Sequence, residues 1–507
     1  MIALPRNHVM TGCCLAGIFL AVNLVTSDRS PVVWTDEVMF ADPAVNATLG
    51  RGFTTTAWLQ PRATFFAGNA PLHSLVLVPW LEAFGVSPLA VRSLNYVLML
   101  GAVGVLVWGA RRLDLVRSTK ASLILATLVL CGDGVTYSYR SGRYDCLGMF
   151  WVALMFAAQT MNQPGRRALA IALLSTLVPW TGFQLIPYVG LLGLLLVGLK
   201  GRSAIPDLVA AAVGGIVGLA LLAALFSVNG VLQEFRHALF YIRGAQRTLF
   251  GRIFDSLHAP FNESSSIILL AALGLATFTS RRTKLRSVGI VGILIGIIVP
   301  FALGFSGKYV RYYAWMAYVP MALAIVAMIE RTDPRLIATK IVYGLVLLAC
   351  LVGFPARMAV TLLEWDLRDP EPVNRLVLET LRPGDWVYTE FEAYYPAKAI
   401  AEQLFLPPYL GIISVPGRER VPAAMTLSER ERVNVLITKP ARRELTLREF
   451  PGRWEEVGHY VADPSRQVGL LKRVHFGAKP YDLTVYRRVG VGALGIGAKE
   501  SEERLAK

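Results

Sequence analysis

Residues 199–236 read LKGRSAIPDLVAAAVGGIVGLALLAALFSVNGVLQEFR. From Leu208 to Val228 no residue carries a charge, and a helix needs about 17–25 apolar residues to cross a bilayer's hydrocarbon core. Lys200 and Arg202 close the run on one side, Glu234 and Arg236 on the other. A helix apolar all round has to be buried or to face lipid. Working outward, comparable runs lie near 8–26, 88–110, 120–137, 145–162, 167–181, 183–199, 205–227, 264–280, 287–305, 309–330 and 336–356. They predict a polytopic α-helical membrane protein of about eleven spans. The first run follows Arg6 and His8 without a small-x-small cleavage site, so it reads as an uncleaved helix.

Composition agrees. Of 507 residues, 54% are hydrophobic and 17% charged, against about 25% charged in an ordinary soluble domain. The net charge of +16 would raise nucleic acid in a soluble chain, but no nucleic-acid motif is present and the basic residues fill short loops between apolar runs. Arg111, Arg112, Arg117 and Lys120 form one such loop, Arg166 and Arg167 another, and Lys200 with Arg202 a third. Arg281, Arg282, Lys284 and Arg286 follow, then Arg331 and Arg335. Positive loops stay in the cytoplasm, which places the N-terminus with them. The stretch Pro71–Phe84, about fourteen residues with Pro79 and Glu82 inside, is short for a span. Read as an interfacial helix, it keeps every basic loop on one side. Segments 27–87, 138–144, 228–263 and the tail then lie outside the cytoplasm.

After Arg357 the chain turns charged and proline-rich. Asp385–Glu390, Val433–Thr438, Trp454–Val461 and Tyr481–Arg487 read as strands, and Asn374–Leu381 and Ala393–Leu404 as helices. The expected division is residues 1–357, a membrane domain, and 358–507, a small extracytoplasmic α/β domain with a frayed end. Cys13, Cys14, Cys131, Cys146 and Cys350 lie in or beside apolar runs and read as small apolar residues without disulfide spacing.

Polar clusters concentrate on the outer side. Thr35-Asp36-Glu37-Val38-Met39-Phe40-Ala41-Asp42 puts three carboxylates just past the first span. A carboxylate near a low-dielectric interface takes a raised pKa unless a cation offsets it, which suits a general base; a solvated helix start is the alternative. Tyr137-Ser138-Tyr139-Arg140-Ser141-Gly142-Arg143-Tyr144-Asp145 sets two arginines outside, against the charge bias. Arginine forks suit phosphate oxygens, although snorkelling beside belt tyrosines reads equally well. Glu234, Arg236, His237, Tyr241, Arg243, Gln246, Arg247 and Arg252 suggest a basic interfacial helix for anionic headgroups or a phosphate. Gly307-Lys308-Tyr309-Val310-Arg311-Tyr312-Tyr313 places Lys308 and Arg311 a turn apart, to hold a phosphate or simply to snorkel. Pro179–Gln184 breaks two spans on the same side. His73 has no second metal ligand at helical spacing. Walker, GxSxG and HExxH signatures do not occur in a fitting context; GVGALG at 490–495 fits GxGxxG but leaves no room for a βαβ unit.

The layout resembles the GT-C glycosyltransferases, specifically the protein mannosyltransferase and aminoarabinose lipid A transferase superfamily. The carriers are TDE at Thr35–Glu37, APLHSLVLVPWLEAFGVSPLAVRSLN at Ala70–Asn95 and RSGRYD at Arg140–Asp145. The resemblance implies a sugar donor linked to a polyprenyl phosphate and a lipid, glycan or protein acceptor outside the cytoplasm. It implies Asp36 as general base inverting the anomeric centre, with Glu37 assisting. Arg143, Arg243, Arg247, Lys308 and Arg311 become candidates for the donor phosphate, and Asp42, Arg140, Asp145 and Tyr312 for substrate binding. Where the lipid A transferases carry Glu-Lys before Pro-Pro-Leu, this chain has Gly68-Asn69-Ala70, which weakens the carry-over of their metal site and of lipid A as acceptor. A divalent metal stays open with no ligand named. The expectation is an integral glycosyltransferase of a bacterial inner or plasma membrane, among membrane lipids and without nucleic acid. A glycan polymerase or ligase, or a lipid-sugar transporter or flippase, is the alternative.

Overall fold

A computed structural model describes residues 6–242, 248–280, 282–306, 310–333, 335–415, 418–468 and 481–490. Arg243, Arg247, Lys308 and the GVGALG sequence beyond Gly490 therefore lie outside the described residues.

Each of the eleven expected apolar runs is helical at its expected place. In chain order the helices are α1 (Arg6–Val25), α2 (Thr35–Thr48), α3 (Pro71–Phe84), α4 (Pro88–Arg112), α5 (Thr119–Cys131), α6 (Asp133–Arg140), α7 (Asp145–Ala158), α8 (Pro164–Thr181), α9 (Leu185–Lys200) and α10 (Ile205–Val228). They continue as α11 (Leu232–Ile242), α12 (Leu249–His258), α13 (Ser264–Thr279), α14 (Thr283–Phe305), α15 (Trp315–Ile329), α16 (Ile337–Leu351) and α17 (Phe354–Leu363). Four apolar helical stretches are long enough to cross a bilayer alone, and up to seven if each bent pair is one span. The rest of the expected eleven are shorter helices; α7, with 14 residues, rises only about 21 Å.

Local chemistry sets the boundaries. Ser87 and Ser118 accept hydrogen bonds from the backbone N–H groups of Ala90 and Ala121 and start α4 and α5. Glu263 caps α13 through Ser265 and Ser266. The expected span 120–137 is not one rod: α5 and α6 meet at 64°. The break falls at Gly132, where a Cβ would enter the Tyr318 ring. Helices α8 and α10 approach through Gly214 and Gly218, whose Cβ positions would fall on the carbonyls of Ala172 and Thr176. On its other side α10 exposes Val213, Ile216, Val217 and Leu221, as a lipid-facing helix does. Helix α3 has 14 residues, too short for the core thickness, and packs on α2 and α4.

Charges sort to the two ends of the bundle. At one end Arg331 donates to the Leu115 carbonyl at 2.8 Å, Glu330 accepts from Arg117 N at 2.8 Å, Arg167 meets Asp207 at 2.9 Å and Lys200 meets Gln159 at 3.1 Å. These are the short basic loops. Helix α2, the α6–α7 junction and Arg311–Tyr313 gather at the other end.

The tail adds α18 (Glu371–Thr380), α19 (Tyr394–Ile400), α20 (Leu427–Arg432) and α21 (Arg443–Glu449). Its strands are β1 (Trp386–Thr389), β2 (Gln403–Phe405), β3 (Ile412–Val415), β4 (Arg418–Arg420), β5 (Val435–Thr438), β6 (Trp454–Val461) and β7 (Asp482–Arg488). Five of them form a sheet in the order β2-β1-β5-β7-β6, parallel on both sides of β1 and antiparallel from β5 outward. The expected helix over Ala393–Leu404 is helical only over Tyr394–Ile400, and its end turns into strand Gln403–Phe405, which pairs with β1. A central-strand partner overrode the local helical pattern. Helix α17 runs across residue 357, and one apolar core joins Val38, Val45 and Leu77 to Val377, Val387 and Leu404. The sheet domain is thus packed on α2–α4.

Candidate active site

Extended Trp34 precedes α2, whose first turn carries Asp36 and Glu37. Carboxylates suit the positive end of a helix. Successive helical side chains diverge by about 100°, so the two neighbours face different surroundings.

The Asp36 side chain is 23% exposed and pairs with Arg143, which is only 2% exposed. Arg143 also donates from Nε to Asp145 at 2.8 Å. Its guanidinium lies 3.6 Å from the Tyr312 ring centroid and 4.9 Å from that of Tyr144. The chain reaches this position through Gly142 (φ 65°), where a Cβ would press within 2.7 Å of the Glu37 side chain. Trp34, Tyr137 and Tyr312 form an aromatic wall, with centroids 5.6, 6.0 and 6.1 Å apart. Asp133, at the α5–α6 break, accepts from Arg311 at 2.6 Å and Arg357 at 3.0 Å. The Arg357 guanidinium lies 5.1 Å from the Tyr137 ring.

Glu37 is fully buried. It takes Arg92 at 2.6 Å and 3.1 Å and the Tyr395 hydroxyl at 3.1 Å. Burial pushes its carboxyl up, with Arg92 and Tyr395 pulling the other way. Asp42 is buried too, bonded to Lys398, Tyr394 and Thr55 at 2.7 Å each and to Thr56 N at 3.0 Å. Burial raises its carboxyl, but Lys398 and the hydroxyl donors outweigh it and hold the group below the usual range.

Of the residues expected at a substrate, the structure brings Asp36, Arg143, Asp145, Arg311 and Tyr312 to one rim. It buries Glu37 and Asp42 behind that rim, each engaged by residues of the C-terminal domain. Arg140 differs from expectation in the same way. It is fully buried and spends its donors on Asn23 at 2.6 Å, Thr26 O at 2.8 Å and Ser30 O at 2.6 Å, tying α6 to the end of α1. The described parts of the expected basic interfacial helix are α11 and α12, and α12 exposes Phe250, Ile253, Phe254 and Leu257. Sequence reasoning passed over Arg92, Asp133, Arg357, Tyr394, Tyr395 and Lys398. Arg92 and Asp133 had a usable signal, since a lone charge inside an apolar helix is rarely idle.

His73 is buried beside this loop, against the Gly142 backbone, which favours its protonation. Burial, and next to it Arg143, hold it neutral, down to about 4. Among the described residues no three His, Cys, Asp or Glu side chains converge to hold a metal ion.

Below the rim an apolar cavity of about 410 Å³ runs between α4, α7, α9, α14 and α15, lined by Met99, Val103, Met149, Leu192, Ile295 and Trp315 among others. Trp315 lies two residues after Tyr313, whose hydroxyl meets that of Tyr144 at 3.0 Å.

Fold and hydropathy together define an integral membrane protein, a helical bundle with a small sheet domain docked on α2–α4. Among solved structures the chain is similar to ArnT from Cupriavidus metallidurans bound to undecaprenyl phosphate, at TM-score 0.58 and 14% identity over 96% of this chain and 99% of that one. The apo state of the same protein gives 0.59 and 15% over 94% and 97%. No protein-family model and no curated protein sequence matches the chain.

Proposed function

We propose that this chain is an inverting glycosyltransferase moving a sugar from a polyprenyl phosphate to an acceptor hydroxyl outside the cytoplasm. The observation that carries the reading is Asp36. It is a partly exposed carboxylate at a helix N-terminus, steered by a buried arginine, at the rim above an apolar cavity. ArnT, which shares the fold, has been seen with undecaprenyl phosphate.

In this scheme Asp36 removes the acceptor hydroxyl proton as its oxygen attacks the anomeric carbon. The bond from that carbon to the phosphate oxygen breaks, and polyprenyl phosphate leaves with the electron pair. Attack opposite the leaving group inverts the centre. The departing charge needs fixed cations. Arg311 and Arg357 at the Tyr137 wall supply them here, while Arg243, Arg247 and Lys308 remain candidates from the sequence. Arg143 is given a different part: with both carboxylates already on it, it aims Asp36 and stacks on Tyr312. Asp145 in turn holds Arg143, and the apolar cavity takes the isoprenoid chain. The basic loops at the opposite end support an outward-facing rim.

The test is transfer by purified protein in liposomes supplied with undecaprenyl phosphate-linked sugars and membrane extract as acceptor. One added sugar per acceptor is expected. A ladder of products would move the chain to the polymerases, and uptake into sealed vesicles without transfer would overturn the reading.

A further inference from the structure

Two of the three carboxylates of α2 are held by the C-terminal domain. Glu37 takes the Tyr395 hydroxyl on one oxygen and Arg92 on the other. Asp42, five residues on and about 7.5 Å along the axis, takes Lys398 and Tyr394 on one oxygen and Thr55 and Thr56 on the other. Tyr394, Tyr395 and Lys398 all belong to α19. The Thr56 hydroxyl adds a 2.5 Å bond to the Leu404 carbonyl. The same interface is apolar between these points, with Val38, Ala41 and Val45 in one core with Val377, Tyr394 and Leu404. Helix α2 is therefore fixed at two heights, by α4 on one flank and by α19 on the other.

We propose that Tyr395 is a positioning residue for Asp36, fixing the rotation of α2 through its hydrogen bond to Glu37. The inference rests on reading Asp36 as the base. A carboxylate carried about 6 Å from a helix axis moves about 2 Å when the helix turns by 20°, and a misplacement of about 1 Å can cost about a hundredfold in rate. Arg143 holds Asp36 from the side of the rim, but it cannot set the helix beneath it. Burial, and after it the Glu37 charge, keep the Tyr395 hydroxyl far above its ordinary pKa, so it stays a donor to Glu37. The C-terminal domain thereby becomes part of the catalytic framework: the base is in place only when this domain is docked.

The test compares Tyr395→Phe with Tyr388→Phe in the full chain. Tyr388 is buried in β1 in the core on the opposite side of the sheet from α19. Turnover is read in liposomes with undecaprenyl phosphate-linked sugars, and backbone hydrogen exchange is followed across 35–48. Tyr395→Phe is expected to lower kcat about tenfold, to leave the donor KM within twofold and to raise exchange in α2; Tyr388→Phe changes none of these. Full kcat in Tyr395→Phe, or equal losses in both variants, overturns the inference while the transferase reading stands. If the wild-type chain transfers nothing, that reading fails, and unchanged exchange across 35–48 in Tyr395→Phe would sink the clamp as well. Should Tyr395→Phe accumulate poorly, Tyr394→Phe, which loosens the same helix at Asp42, must raise exchange across 35–48 for the clamp to survive.

Discussion

Arg143→Met removes the cation shared by Asp36 and Asp145, and its cost can be worked from their surroundings. Asp145 has no exposed side-chain surface and accepts from Arg143 through one oxygen at 2.8 Å, with the Trp315 side chain its other polar neighbour. At an effective dielectric of 20, charges about 4 Å apart attract by roughly 4 kcal/mol, and stranding one partner of a buried pair costs about 3–5 kcal/mol. Asp36 is 23% exposed, so water replaces much of what it loses, and its share is about 0–1 kcal/mol. The single variant should thus lose about 4 kcal/mol, nearly all of it through Asp145. Adding Asp145→Asn removes the stranded charge and should return most of that loss, yet it leaves Asp36 without its guide. Thermal midpoints in detergent and transfer rates in liposomes, across all four members of the cycle, separate the two roles. Arg143→Met is expected to be unstable and inactive, and the double variant to be stable and inactive. A double variant that transfers sugar at the wild-type rate would show that Arg143 only neutralises Asp145.

Ala153 lines the apolar cavity, and Ala153→Trp should raise the KM for a long-chain polyprenyl donor roughly tenfold, about 1.4 kcal/mol, while sparing a donor with a short prenyl chain. Equal effects on both would remove the cavity from the donor site. Gly218→Leu forces α8 and α10 apart and should lower stability by about 1–3 kcal/mol; Gly215→Leu, with open space at its Cβ, should be silent in the same thermal scan. Asp42 has a depressed pKa, so its contribution to docking is present above the unfolded aspartate value of about 3.9 and is lost as pH falls through the lower folded value. Protection factors across 35–48, with the intrinsic pH dependence of amide exchange divided out, should therefore not drop between neutral pH and about 4, a range in which protonation of the raised Glu37 carboxyl favours the folded state, and should drop only below that; a drop near pH 6 would contradict the assignment.

The fold was legible because membrane spans announce themselves by charge-free length, which a single residue cannot disguise. Gly132 was not legible as a break, since what forbids a side chain there is the Tyr318 ring, 186 positions away in the chain. Asp36 and Arg143 could be found from the TDE and RSGRYD motifs, and their pairing follows from outer-side placement. The fate of Glu37 and Asp42 could not be read, because their partners are a tyrosine and a lysine of α19 more than 350 residues later. The same distance hid α19 and β2 inside one helical pattern: only the sheet decides that Gln403–Phe405 is extended.

The most direct measurement is sugar transfer by Asp36→Asn beside the wild-type chain, in liposomes containing undecaprenyl phosphate-linked sugar. The substitution keeps the size of the side chain and its place at the rim, and takes away the capacity to accept a proton. Wild-type protein should release undecaprenyl phosphate and invert the anomeric centre, and Asp36→Asn should lose at least about a hundredfold in kcat, the lower end of what a positioned base supplies, with an unchanged thermal midpoint. Turnover in Asp36→Asn near the wild-type rate would contradict the account at its centre.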